Sequence, residues 1–438
     1  MKLFFRRAMF LCMAFIATSF TAQAQWFRVW SGGESTRYSM SAANIIPYAE
    51  AGSTITIADV NYSTVEIDSI TIINPVIITW EGSTATVDIP ETAEGVTASI
   101  DGANVVITNT CTTIEHEFVL KGASDDGSLF YNGTYKTKFH LNGLQLTSTT
   151  GAAIDIQCGK RIDLIIEDGT TNSVSDSANG EQKAAFNCQG HLEISGSGSL
   201  EIASNCRHAL RTKEYLLLKE TVGQLAITAA ASDGIHCGEY FLMNGGTLTL
   251  SGIQGDGIQV ETDAASDEEL NGQFIMNGGS INLTVSAQDT KGIRLDAAET
   301  DKTIVPEMYL LDGTITVNLT GTANGSKAIA SDGNLTIGSS GTNPIIGVTV
   351  AGGTYTDPDT EEENRATGLK ADRTLTIAGG ATTVNATGTK SRGVRAATLT
   401  ATGGTLTVTN TGSKSQGIKL DNKFVPGQGG TVTGNFKY

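Results

Sequence analysis

The chain has 438 residues, a formal net charge of −17, 6% aromatic residues and 51 glycines. Such a length accommodates a large core or several domains. The acidic balance repels nucleic-acid phosphates and argues against a nucleic-acid partner, while it suits divalent cations.

Residues 1–24 read as a secretory signal. Lys2, Arg6 and Arg7 form a charged start, the apolar run from Ala8 to Ile16 is too short to span a bilayer, and Ala22-Gln23-Ala24 is a small-x-small cleavage pattern. The expected location is therefore secreted, extracellular or at the cell surface. No second long apolar stretch follows, so no transmembrane segment is expected after the signal is removed. Five cysteines follow the signal: Cys111, Cys158, Cys188, Cys206 and Cys237. An odd number cannot all pair within one chain, and no zinc-type spacing occurs.

Residues 25–75 carry Trp26 and Trp30 and end in an alternating run, Val65-Glu66-Ile67-Asp68-Ser69-Ile70-Thr71-Ile72. They read as a small N-terminal module. Residues 76–140 are strand-like but lack the repeat described next, and read as a β cap, because an open solenoid end exposes unpaired backbone groups. Residues 141–438 hold the repeat.

Short alternating runs of Thr, Ser, Ile, Leu and Val dominate this region and predict an all-β chain. A phrase of small, apolar, any, then small or apolar residue recurs. Its copies begin at Ala153, Ala185, Ala209, Gly234, Gly257, Gly292, Ala328, Gly368, Gly393 and Gly417. Most steps lie between 23 and 25 residues, and the longer ones carry inserts. A fixed period of this size marks a solenoid. A second phrase falls between copies of the first: Asn244-Gly245-Gly246-Thr247-Leu248-Thr249, Asn277-Gly278-Gly279-Ser280-Ile281-Asn282, Asp312-Gly313-Thr314-Ile315 and Thr402-Gly403-Gly404-Thr405. Its glycines predict a sharp corner between strands. One unit then makes one turn of a parallel β-helix of about ten turns, with equivalent residues stacked in ladders. Cys188 and Cys237 fall in one ladder two turns apart, ~10 Å at ~4.8 Å per step. That is too far to bridge, so both read as buried fillers.

These motifs carry a resemblance. Ser232-Asp233-Gly234-Ile235-His236 followed by Asn244-Gly245-Gly246-Thr247-Leu248-Thr249, and the entry segment Leu141-Asn142-Gly143-Leu144-Gln145-Leu146-Thr147-Ser148 with Ala152-Ala153-Ile154, resemble a family of secreted bacterial carbohydrate-binding-domain proteins. The resemblance implies a right-handed parallel β-helix like that of pectate lyases, association with calcium, and an acidic plant polysaccharide such as polygalacturonate as partner. Where the family more often shows a small residue and Asp, this chain has Cys237-Gly238-Glu239.

The third position of the first phrase should point outward. It reads Asp155, Asn187, Arg211, His236, Gln259, Arg294, Ala330, Lys370, Arg395, Lys419. This stripe reads either as a track for carboxylated polysaccharide, gripped by Arg211, His236 and Arg294, or as a solvated face neutralised by Glu261, Asp296, Asp332, Asp372 and Asp421. Tyr215 and Tyr240 should stack and offer sugar rings a platform, with Phe241, Phe274 and Tyr309 as an inward ladder. The inserts are acidic. Asp263, Asp267, Glu268, Asp296 and Asp301 are the candidate calcium ligands, since clustered carboxylates suit that ion. The histidines, His116, His140, His191, His208 and His236, lie too far apart in sequence to form a closely spaced metal-binding pair. No catalytic motif appears. The sequence thus predicts a monomeric, non-catalytic polysaccharide-binding protein. A structural or adhesive surface solenoid and a polysaccharide lyase remain as alternatives.

Overall fold

The computed structural model describes residues 26–31, 34–39, 45–46, 54–57, 60–63, 66–298, 303–427 and 429–438. The signal assigned to residues 1–24 lies outside the described residues. The chain divides into two compact units, Met1–Pro75 with Pro90–Ala93, and Val76–Ile89 with Glu94–Tyr438.

In the first unit the strand Trp26–Ser31 lies between Glu34–Ser39 and Ile67–Ile73, antiparallel to both. Phe27, Val29, Tyr38 and Ile57 form its core, with Tyr62, Ile67 and Ile70 packed against them. Phe27 and Tyr38 stack with ring centroids 5.5 Å apart.

The second unit is a coil of parallel strands, three to a turn, and no helix occurs among the described residues. The first column runs through Ile154–Gln157, Ala184–Cys188, His208–Thr212, Ile235–Gly238, Ile258–Glu261, Lys291–Asp296 and Lys327–Ser331. It continues in the first halves of Thr367–Ile377, Arg392–Ala401 and Gln416–Pro426. The second column holds Ile162–Ile166, Leu192–Ser195, Leu216–Leu218, Tyr240–Met243, Gln273–Met276, Glu307–Leu310 and Asn334–Ile337. The third runs from Thr171–Asp176 to Thr431–Thr433. Parallel pairing starts upstream of residue 141. Val76–Glu81 pairs with Glu117–Ser124, and Asn104–Asn109 with Ser128–Gly133. Two antiparallel strands join them: Thr84–Asp88 pairs with Val76–Glu81, and Val96–Asp101 with Asn104–Asn109.

The register explains the repeated phrase. Ile235, Ile258 and Ile293 lie opposite one another on successive turns, and each is fully buried. The small residue before each of them sits where the next turn already lies. A Cβ on Gly257 would come within 2.4 Å of the Gly292 carbonyl oxygen, and one on Gly292 within 2.5 Å of that of Ala328. Nothing larger than alanine occurs there in any copy. At the second phrase Gly246, Gly279 and Gly313 stack at φ of 84°, 84° and 89°, in the left-handed region that glycine alone enters without strain. The corner expected from that phrase is therefore present.

Cys188 and Cys237 are buried in one ladder on either side of Thr212, and all five described cysteines are free thiols. One ladder differs from expectation. Phe241 and Phe274 stack at 4.7 Å, but Met308 follows them, and Tyr309 lies opposite Ile275 on the outward side, half-buried. The inserts between the first and second columns vary in length, so counting from the phrase loses phase across them.

Candidate functional site

The outward side of the first column carries three parallel files of side chains. The residue before each small residue gives His208, Asp233, Asp256, Lys291, Lys327, Thr367 and Arg392; the third phrase position gives the stripe; two residues further come Glu261, Asp296, Asp372 and Asp421. Upstream the stripe continues to Phe130, which pairs with Asp155. It is not evenly exposed. Asn187, Gln259 and Ala330 are buried, because neighbouring side chains lean over these shorter or neutral residues.

At mid-face, Arg294 is fully engaged. Its Nη1 donates to Asp256 Oδ2 at 2.9 Å and its Nε to Asp296, which also accepts from Gln259 Nε2 at 2.9 Å. Burial works against this guanidinium's charge, but the two carboxylates outweigh it and hold its pKa above the usual arginine value. Arg294 is therefore an ion-paired brace between Asp256 and Asp296. Arg211 differs. It donates to Asn187 Oδ1 at 3.3 Å and forms no ion pair among the described residues, and burial lowers its pKa.

Between them sits a cluster that sequence spacing missed. His208 Nδ1 and His236 Nδ1 lie 3.2 and 3.1 Å from Asp233 Oδ2, and Asp233 Oδ1 accepts the backbone N–H of Asp256 at 2.8 Å. His236 Nε2 also reaches Glu261 at 3.6 Å. Burial alone would raise the Asp233 carboxyl, yet both imidazoles and the N–H hold it well below the carboxylate range. Burial lowers His208. In His236 burial is outweighed by Asp233 and Glu261, and its pKa rises to about 9. The face thus holds a carboxylate between an imidazole that favours its neutral form and one that favours its charge. Asp233 and His236 are three residues apart on one turn, whereas His208 and Glu261 come from the turns on either side and are brought beside them by the coil. The repeat period is the signal that could have found them.

Toward the C-terminal turns the face becomes basic. A hollow of about 280 Å³ is lined by Lys327, Arg365, Lys370, Arg392, Arg395 and Lys419, against two carboxylates, Glu363 and Asp421. Lys370 meets Asp372 at 2.8 Å, and Arg395 and Lys419 each meet Asp421 at 3.5 Å. Arg392 has no ion pair among the described residues; its Nε donates to Gln416 at 3.0 Å. Burial, then the cations of Arg395 and Arg365, depress its pKa to about 10. Half-buried cations crowded in this way, beside the exposed Arg395, are poised for an anion. At the opposite end a hollow of about 520 Å³ is lined by amides, including Gln157, Asn187 and Gln189, and by Phe130, whose ring is 38% exposed.

Tyr215 and Tyr240 stack at 4.5 Å and 18°. Tyr240 is only 8% exposed, and the Tyr215 hydroxyl donates to Glu193 at 3.0 Å. The stack is an inner wall rather than the open platform expected. Beside it His191, Glu214 and Glu239 bring their ligand atoms within 4.8 Å of one another. Burial, opposed by His191 and reinforced by Glu239, raises the pKa of Glu214. Among the described residues the expected calcium ligands are not gathered at one point. Asp296 is held by Arg294, Asp263 caps the Ala265 N–H within its own loop, and Asp267 is exposed. Asp301 lies outside the described residues. Of these ligands among the described residues, Glu268 alone approaches a metal-type cluster, adding its charge to that felt by Glu214.

Residues 101–415 match the model of a family described as carbohydrate-binding domain-containing protein. No curated protein matches the chain. A solved structure, that of a polysaccharide lyase-like protein from C. thermocellum, aligns with a TM-score of 0.46 at 18% identity, over 62% of this chain and 97% of that one. No helix among the described residues is long and apolar enough to cross a membrane.

Proposed function

The chain belongs to the carbohydrate-binding domain-containing family, and from that premise we propose that it is a secreted or surface-held binding protein for acidic polysaccharide, laid along the outward side of the first column. The observation that carries this reading is the basic hollow around Arg392. On a chain of net charge −17, six cationic side chains converge there and one of them lacks a carboxylate partner. Guanidinium groups grip carboxylates in bidentate fashion. Uronate units of a pectic chain present such carboxylates at regular intervals.

The stripe from Asp155 to Lys419 climbs nine turns, roughly 43 Å at ~4.8 Å per step. That length suits a polymer rather than a monosaccharide. The amide-lined hollow beside Phe130 offers hydrogen bonds and a ring face to less charged sugars at the other end. We take the coil as right-handed, the hand that parallel crossovers adopt, and the protein as a non-catalytic monomer. Calcium enters this reading only as an ion shared with uronate carboxylates by the loop carrying Asp263 and Asp267, whose own carboxylates form no cage among the described residues.

The test is binding of the full chain to polygalacturonate and to neutral glucan, with and without chelator. Saturable binding to polygalacturonate that weakens with salt and with Arg392→Ala supports the reading. Equal binding to both glycans, or none, rejects it. Ultraviolet-absorbing unsaturated product would replace binding with lyase activity.

A further inference from the structure

We infer that His191, Glu214 and Glu239 form a site for a single divalent transition-metal ion of the zinc class. The three residues come from three successive turns, each at the corner after the first column. His191 Nε2 lies 2.8 Å from Glu214 Oε2, and the ligand atoms of all three fall within 4.8 Å of one another. Neither carboxylate forms an ion pair with a lysine or arginine among the described residues.

The polar accounting points to a missing ion. Glu239 is only 6% exposed. Its Oε1 accepts the Ser266 hydroxyl at 2.6 Å, while its Oε2 is buried and has no hydrogen-bond partner. Glu214 Oε2 and His191 Nδ1 are likewise buried without a hydrogen bond. Glu214 Oε2 has the His191 Nε2 contact at 2.8 Å, but Glu239 Oε2 has no partner, and a buried carboxylate oxygen left alone beside a second carboxylate is costly unless a cation or proton joins them. The neighbouring His208–Asp233–His236 cluster is different, because Asp233 already satisfies both of its oxygens.

The donor set selects the ion. Calcium takes six to eight oxygens, and an imidazole nitrogen is a poor member of that shell. One imidazole with two carboxylates matches three-residue zinc sites that leave a position open. The insert of the following turn, between Ile258–Glu261 and Gln273–Met276, reaches back to the site. Ser266 bonds the Glu239 side chain, and the Gly272 N–H bonds the Glu239 carbonyl at 2.7 Å. Glu239 also holds φ at 55°, in the left-handed region that non-glycine residues rarely adopt. The ion would staple three turns and anchor the loop.

The experiment uses the untagged full chain after chelator stripping. Calorimetric titration should show one zinc per chain, bound at least tenfold more tightly than calcium. Glu239→Gln should weaken zinc at least tenfold, and His208→Gln should leave it unchanged. Anomalous diffraction at the zinc edge from wild-type crystals should place the ion among the three side chains, and decides the matter even if the Glu239 variant fails to fold. Absence of zinc binding, preference for calcium, survival of binding in Glu239→Gln, or an ion located at Asp233 would each overturn the assignment.

Discussion

His208 and His236, from successive turns of the coil, approach the same carboxylate oxygen of Asp233 from two sides, and their ring centroids lie 4.5 Å apart. Two imidazoles this close do not both stay charged easily. The structure divides them, with burial favouring a neutral His208 and two carboxylates favouring a charged His236.

That division sets a pH window for stability. The folded pKa of His236, about 9, exceeds its ordinary value, so its contribution is full below about pH 6.5 and is lost as pH rises through 9. The folded pKa of His208 is depressed, so stability falls as pH drops below about 6.5, where the unfolded chain takes a proton that the folded one refuses. Asp233, depressed as well, adds a loss at lower pH still. Urea midpoints should peak near pH 6.5. The alkaline limb, on the order of 3 kcal/mol, should flatten in His236→Gln. An unchanged alkaline limb in that variant would remove the assignment.

Arg392 and Arg294 should separate binding from stability. Arg392→Ala should weaken polygalacturonate binding about tenfold, one charge-assisted contact of about 1.5 kcal/mol, with little change in unfolding. Arg294→Ala strands Asp256 and Asp296 and should destabilise by roughly 1–2 kcal/mol, a buried-pair loss discounted for the one-third exposure of its side chain. Isotherms and melting curves on both variants read the contrast. The reverse pattern would place the ligand at mid-face.

The aromatic ladder tests the packing. Phe241 is fully buried and stacks on Phe274. Phe241→Ala should lower stability by about 3–5 kcal/mol, measured by urea unfolding followed by circular dichroism.

Gly388 tests close approach between turns. A Cβ there would sit 2.0 Å from the Gly352 carbonyl oxygen, while a Cβ on Gly412 would sit 2.1 Å from that of Gly388. Gly388→Ala should destabilise by about 1–3 kcal/mol through overpacking. Gly151→Ala, with open space around it, should do nothing comparable.

The repeat was legible because stacking imposes the same environment on every turn. Ile235, Ile258 and Ile293 had to be apolar, the residue before each had to be small, and Gly246, Gly279 and Gly313 had to turn a left-handed corner. Phase is lost wherever an insert intervenes, and so Met308, not Tyr309, continues the ladder of Phe274.

The candidate sites were less legible. Arg294 and Asp296 look available in a list of residues, but two positions along a strand share a face and the neighbouring turn supplies Asp256, so the guanidinium is held between two carboxylates. Tyr240 stacks as its spacing suggested, yet it is covered.

The sequence by itself determined an all-β coil, its period, its buried ladders and its glycine corners, since these follow from local backbone geometry repeated at fixed intervals. Only the tertiary structure decided which side chains meet across turns: His208 with Asp233 and His236, His191 with Glu214 and Glu239, and the cations around Arg392. Coil height, not chain distance, brings them together, and the variable inserts erase that height from the one-dimensional record.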